Sequence, residues 1–232
     1  MPGALTVAIT TPGETAYTNG TVHFSVTVTG GDADSVELLA DATSIASLHA
    51  PYAFDWDTKG HPEGKVQVIA RATRAGVQLD SAPRLVVVDR TAPTVLARVP
   101  APGAASVAVG DPITIALSEP LLVDTVKDAT VALSDGAAPI ATTVSLSADG
   151  TTVKIKPTPT IVAPISPTAT LMKGMTDLAG NALVLPADPW QWTAPYWLPL
   201  GDVAVQPKGA QTGVGVDVAL DKNGAPCTLL GT

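Results

Sequence analysis

The chain has 232 residues, 46% hydrophobic and only 15% charged, against about 25% charged in an ordinary soluble domain, so it is not a charge-driven disordered chain. Nucleic-acid binding needs a basic face to displace counterions from a phosphate backbone, and a net charge of −8 argues against it. The 20 glycines and 21 prolines make the chain rich in turns, and four prolines interrupt the long charge-free stretch between Lys156 and Lys173, so no membrane-spanning segment is expected.

Period two dominates the first ninety residues. In TVHFSVTVT, Val22, Phe24, Val26 and Val28 alternate with His23, Ser25, Thr27 and Thr29, which predicts a strand with one face on a core and one in water. The segment YAFDW places Tyr52, Phe54 and Trp56 on one face, and KVQVIARAT places Val66, Val68, Ala70 and Ala72 on another. Turn-forming residues separate these runs in TPGE, TGGDAD, HAP, KGHPEG and TRAG, so strands recur about every ten residues, the spacing of an antiparallel sandwich. LVVVD, at 85–89, reads as the last strand of this unit. RTAPTV then forms a short extended linker, in which Pro93 fixes its own φ and biases Ala92 toward extended backbone.

A second unit begins near Thr94. PITIALSEP predicts a strand, LLVDTVKDAT a helical turn, and Asp149-Gly150 a tight hairpin between two alternating runs. The proline-broken stretch PTPTIVAPISP predicts an edge strand or loop, because proline cannot donate to a ladder. Asp177–Asn181 predicts another turn, and WQWTAP closes the unit with Trp190 and Trp192 on one face. The last thirty residues hold two short alternating runs about a DKNG turn and are too few to bury a core alone. The expected fold is therefore all-β: two tandem antiparallel β-sandwiches over 1–91 and 92–198, with a β extension over 199–232 that either pairs with the second unit or is the truncated start of a third module.

Two stretches resemble known families. SVELLAD, APYAFDWDT, PEGKVQVIARA and VVVDRTAPTV together resemble a bacterial immunoglobulin-like domain of surface and secreted proteins, with ATRAG departing from relatives that carry an acid there. PITIALSEP, SADGTTVKIKP, MTDLAGNAL and WQWTAP resemble the bacterial Ig-like domain of S-layer and other envelope proteins, with PISPTATLMKG lacking that family's usual aromatic residue. DVALDKNGAP is loosely similar to the start of a blade in a secreted β-propeller. The resemblance implies immunoglobulin-like folds, an extracellular or cell-surface bacterial setting, and no catalytic residues to transfer.

The chemistry-bearing residues agree with a non-enzymatic module. Cys227 is the only cysteine, so no intrachain disulfide forms. His23, His49 and His61 are far apart and lack zinc spacing. Asp55 and Asp57 share a strand face and read as solvent-facing rather than as a hydrolytic pair. Asn19-Gly20-Thr21 fits a glycosylation sequon and reads more simply as a turn. No cofactor is expected. The calcium candidates are Asp57, Asp89 and Asp177, with Asp32, Asp34 and Asn181 beside them, and the junction between the units is the favoured place. Trp190, Trp192 and Trp197 are the ligand candidates, since exposed they would stack on sugar rings; the favoured reading buries Trp190 and Trp192 as a plug of the second core, with Tyr196 and Trp197 sealing its junction with the next module. The expected function is a structural spacer or adhesion module whose partners are other modules of the same chain or surface-layer proteins. The alternative is a carbohydrate-binding accessory of a secreted hydrolase, with a glycan as partner.

Overall fold

The computed structural model describes residues 3–158 and 164–194, together with the backbone of two strands near the C-terminus. Nine strands build the first sandwich: β1 (Thr6–Thr11), β2 (Thr15–Thr18), β3 (Thr21–Thr29), β4 (Ser35–Ala40), β5 (Thr43–Leu48), β6 (Ala53–Asp57), β7 (Gly64–Arg74), β8 (Val77–Asp80) and β9 (Arg84–Val88). One sheet runs β1-β3-β6 and the other β2-β9-β7-β4-β5, with β8 paired to the far end of β7. The alternating residues face inward as their spacing predicts. Val22, Phe24 and Val26 of β3 and Val66, Val68, Ala70 and Ala72 of β7 are buried, and Trp56 of β6 packs with its ring centroid 6.4 Å from that of Phe24.

One pairing departs from a purely antiparallel sandwich. The opening of the chain divides between the two sheets: β1 lies antiparallel to β3, whereas β2 lies parallel to β9. The Pro12-Gly13 step between them breaks the ladder and lets the chain cross from one sheet to the other.

The second sandwich comprises β10 (Val95–Val99), β11 (Ile113–Leu117), β12 (Val131–Asp135), β13 (Ala138–Ile140), β14 (Thr142–Leu146), β15 (Thr152–Pro157), β16 (Pro167–Leu171) and β17 (Trp190–Gln191). Its sheets run β10-β11-β15-β14 and β13-β12-β16-β17. Ile113, Ile115, Leu117, Leu133, Val153, Met175 and Trp190 are among the residues of a separate core. The helical turn expected in LLVDTVKDAT is two single 3-10 turns, Val123–Thr125 and Asp128–Thr130. The β14–β15 hairpin turns at Gly150, whose φ is +75°. An added Cβ there would sit 2.8 Å from the Pro120 Cβ, so the position requires glycine for both angle and space. Pro167 opens β16, which lies inside its sheet, between β12 and β17. A first position is where a strand tolerates a missing N–H. The proline-broken stretch therefore leads into a central strand, and its residues 159–163 lie outside the described residues. In the C-terminal extension, β18 (Val218–Leu220) and β19 (Pro226–Thr228) pair antiparallel around the DKNG segment. Among the described residues, no helix is long and apolar enough to cross a membrane.

Candidate functional site at the junction of the two sandwiches

The linker is fastened through both backbone and side-chain groups. The Asp89 N–H donates to the Thr18 carbonyl at 2.9 Å, the Arg90 N–H to Glu63 Oε1 at 2.9 Å, and the Thr91 hydroxyl to Glu63 Oε2 at 3.1 Å. The Arg90 guanidinium donates to the carbonyls of Thr58 and His61. Residues 89–91 are thus bonded onto the first sandwich. Beyond Ala92 the bonds change owner. The Pro93 carbonyl accepts from the Val184 N–H at 2.9 Å, the Thr94 N–H donates to Ser118 Oγ at 2.9 Å, and the Thr94 carbonyl accepts from the Ser118 N–H at 3.0 Å.

Facing this linker is the turn Asp177–Asn181. Asp177 is buried, and its Oδ1 accepts from the N–H groups of Ala179 and Asn181, each at 2.8 Å. Its Oδ2 accepts from Asn181 Nδ2 at 2.8 Å. This Asx-type bonding is why Asp opens such a turn, with Gly180 supplying a φ of +93°. The Asn181 amide also reaches the first sandwich. Its Nδ2 donates to the Asp89 carbonyl at 3.0 Å, and its Oδ1 accepts from Asn19 Nδ2 at 3.1 Å. The sequon nitrogen of Asn19 is therefore engaged in the junction.

Three carboxylates gather here. Asp89, Glu119 and Asp177 each place one oxygen within 4.8 Å of the others. Burial raises the Glu119 carboxyl above its ordinary pKa, and the charges of Asp89 and Asp177, a hydrogen bond with Asp89 and the charge of Glu63 push it the same way. Such a cluster either shares a proton or offers oxygens to a hard cation. Calcium takes six to eight oxygens, so a shell built on these three carboxylates would need further oxygens from backbone carbonyls or water. Two of the three sequence candidates, Asp89 and Asp177, are brought together. Asp57 is elsewhere: its Oδ1 accepts from the Lys59 N–H at 3.0 Å and caps the 3-10 turn Thr58–Gly60. Glu119 was not among the candidates, although its Ser-Glu-Pro context marked a strand end. Asp34 caps the β7–β8 hairpin through the Ala75 N–H at 2.7 Å, and only the carbonyl of Asp32 is engaged, by Arg74 Nε.

Trp190 and Trp192 plug the second core, as the favoured of their two readings expects, and neither serves as an exposed sugar platform. Trp190 is 2% exposed and Trp192 4%, with ring centroids 5.6 Å apart inside that core. The Trp190 Nε1–H donates to the Pro100 carbonyl at 2.7 Å, satisfying the one polar atom of a buried indole. Trp197 lies outside the described residues.

Comparison with protein families assigns residues 89–194 to a family described as a bacterial Ig-like domain, and residues 6–74 to one described as a bacterial Ig domain. The chain carries two bacterial Ig-like domains in tandem. No curated protein matches it. Solved structures with a similar chain course include three modular proteins. The fibronectin(III)-like modules of Clostridium thermocellum CbhA are 22% identical, covering 36% of this chain and 96% of theirs, with a TM-score of 0.30. The N-terminal part of the bacterial S-layer protein SbsC is 12% identical, covering 59% of this chain and 32% of its own, with a TM-score of 0.37. Titin domains I67–I69 are 11% identical, covering 78% and 61%, with a TM-score of 0.42.

Two other features of the Ig-like domains bear on chemistry. A cavity of about 630 Å³ opens in the second domain between Val107, Pro112, Ile155, Ile165 and Trp192. It is mainly apolar, and the one carboxylate on its rim among the described residues, Asp111, accepts from the Ala108 N–H. In the first domain, His23 Nδ1 lies 2.6 Å from Asp55 Oδ1 and His23 Nε2 lies 3.2 Å from Ser25 Oγ. The sequence reading did not join these three residues. They stand on an exposed strand face, and the next backbone N–H, that of Val26, is already donated to the Tyr52 carbonyl, so it is not free to stabilise an oxyanion.

Proposed function

We propose that the chain is a non-catalytic spacer of a secreted or cell-surface bacterial protein, holding the modules before and after it at a set separation and so supporting adhesion or a surface layer. The observation that carries this reading is the linker. Residues 89–91 are bonded to the first domain, with the Asp89 carbonyl also accepting from Asn181 of the second, and residues 93–94 are bonded to the second. A joint fastened to both domains within six residues transmits position, whereas a Gly/Ser tether would let the two domains wander. Both cores consist mainly of apolar side chains and close within their own sandwich, so each domain behaves as a unit of fixed size. Membership of bacterial Ig-like families supports a structural role, because such domains serve in modular proteins as non-catalytic parts. The partners on this reading are neighbouring modules of a longer chain or proteins of a surface layer.

Small-angle X-ray scattering of the full chain tests it. An elongated particle with two separated lobes is expected. A compact particle, with the domains packed broadly against each other, overturns the reading.

A further inference from the structure

We infer that Asn181 is an interdomain latch, and that the Asp-Leu-Ala-Gly-Asn turn of the second domain is a docking surface for the end of the domain before it. This inference rests on the spacer reading and names the residue that sets its angle. The side-chain amide of Asn181 has two N–H donors and one carbonyl oxygen, and all three groups are engaged. One donor serves Asp177 Oδ2 in its own turn, and the other reaches the Asp89 carbonyl across 92 positions of sequence. The oxygen accepts from Asn19, 162 positions away, in the turn between β2 and β3. The carboxylate of Asp177 holds the amide in the orientation that serves both partners, so Asp177 acts through Asn181 as a positioning residue.

Geometry gives this amide its effect. The linker joins the domains along one strand of chain, and a single tether leaves rotation about itself. Asn19 lies on a different loop from the linker, so its bond to Asn181 is a second point of attachment that opposes that rotation. Short tethering keeps the two surfaces at an effective concentration of order mM, where individually weak hydrogen bonds close. The partner this turn fits is a sandwich whose last strand ends in a carbonyl free for a side-chain donor and whose neighbouring turn supplies a second amide. Asp89 and Asn19 provide these two groups.

The test is double electron–electron resonance on the full chain. Cys227→Ser removes the native thiol, and spin labels go on Lys65→Cys and Ser145→Cys, both exposed and one in each domain. The unmodified junction gives one narrow distance distribution. Asn181→Ala broadens it, with the unlatched population rising roughly 5- to 30-fold, the factor that one or two lost net interactions produce. Asn19→Ala leaves every bond of the turn in place, so it broadens the distribution without moving the melting temperature of the second domain. Distributions unchanged in both variants overturn the latch. A broad distribution before any substitution also overturns it, while an elongated scattering profile from the same sample leaves the spacer reading standing.

Discussion

Replacing Trp190 with phenylalanine tests whether the second core stands on its own. The indole is 2% exposed, donates from Nε1 to the Pro100 carbonyl at 2.7 Å, and lies under the Arg98 guanidinium, 6.0 Å from ring centroid to Cζ. Phenylalanine keeps one ring in the site but removes the donor and the rest of the bicycle. A buried carbonyl left without its donor costs about 1–3 kcal/mol. The smaller ring adds a void that costs about 1 kcal/mol more. The sum is about 2–4 kcal/mol, and at tenfold per 1.4 kcal/mol the opening of the second domain rises roughly 30- to 700-fold. Native-state hydrogen exchange reads this strand by strand. Amides of β12 and β16 exchange faster by that factor, while those of β3 and β7 keep their rates. Equal acceleration in β3 and β7 would mean that both domains open as one body and would refute two independent cores. No acceleration anywhere would mean that the Trp190–Pro100 contact does not hold the core.

Two further substitutions probe the turn and the junction. Gly150→Ala forces a left-handed angle on alanine, costing about 1–2 kcal/mol before the close approach to Pro120 is counted, so the melting temperature of the second domain falls by about 4 °C or more. Gly60→Ala, with open space around it and no positive φ, serves as the calorimetric control and leaves the melting temperature unchanged. Glu119→Gln addresses the raised carboxyl. The folded chain holds this proton more tightly than the unfolded chain, so stability is greatest below the ordinary value of 4.5 and declines as pH rises through the raised folded value. In EDTA, the variant melts at the same temperature as the parent near pH 4 and higher at pH 7. A parent whose melting temperature does not fall relative to the variant across that window would show that burial and the charges of Asp89, Asp177 and Glu63 do not strain Glu119.

Much of the fold was legible because a half-buried strand leaves its pattern in consecutive residues. The alternation in β3 and β7 names their inward side chains directly, and Asp149-Gly150 marks its hairpin. The junction was legible only in part. Asp89 and Asp177 are acids beside recognisable turns, so a meeting at the linker was arguable. Nothing local to Asn181 points to Asn19, since that bond depends on how two complete domains face each other. Glu119 follows a strand as many surface acids do, and its neighbours became visible only when β11 and the Asp177 turn were in place. The parallel course of β2 was hidden for the same reason: four residues carry no sign of direction, which is set by the partner β9. The tryptophans show the opposite limit. A large aromatic at alternate positions suits a core or a sugar platform; the scarcity of other aromatics in the chain already favours the core, and the facing sheet completes the burial.

The parallel seating of β2 against β9 has a mechanical result. These strands lie near opposite ends of the first domain's chain, so tension applied through the two ends pulls them along their own axes in opposite directions. The ladder between Thr15–Thr18 and Leu85–Val88 is then loaded in shear, and its hydrogen bonds must give way together instead of unzipping one by one. A chain stretched between a cell and its surroundings would meet its resistance at this short ladder once β1 had peeled from β3.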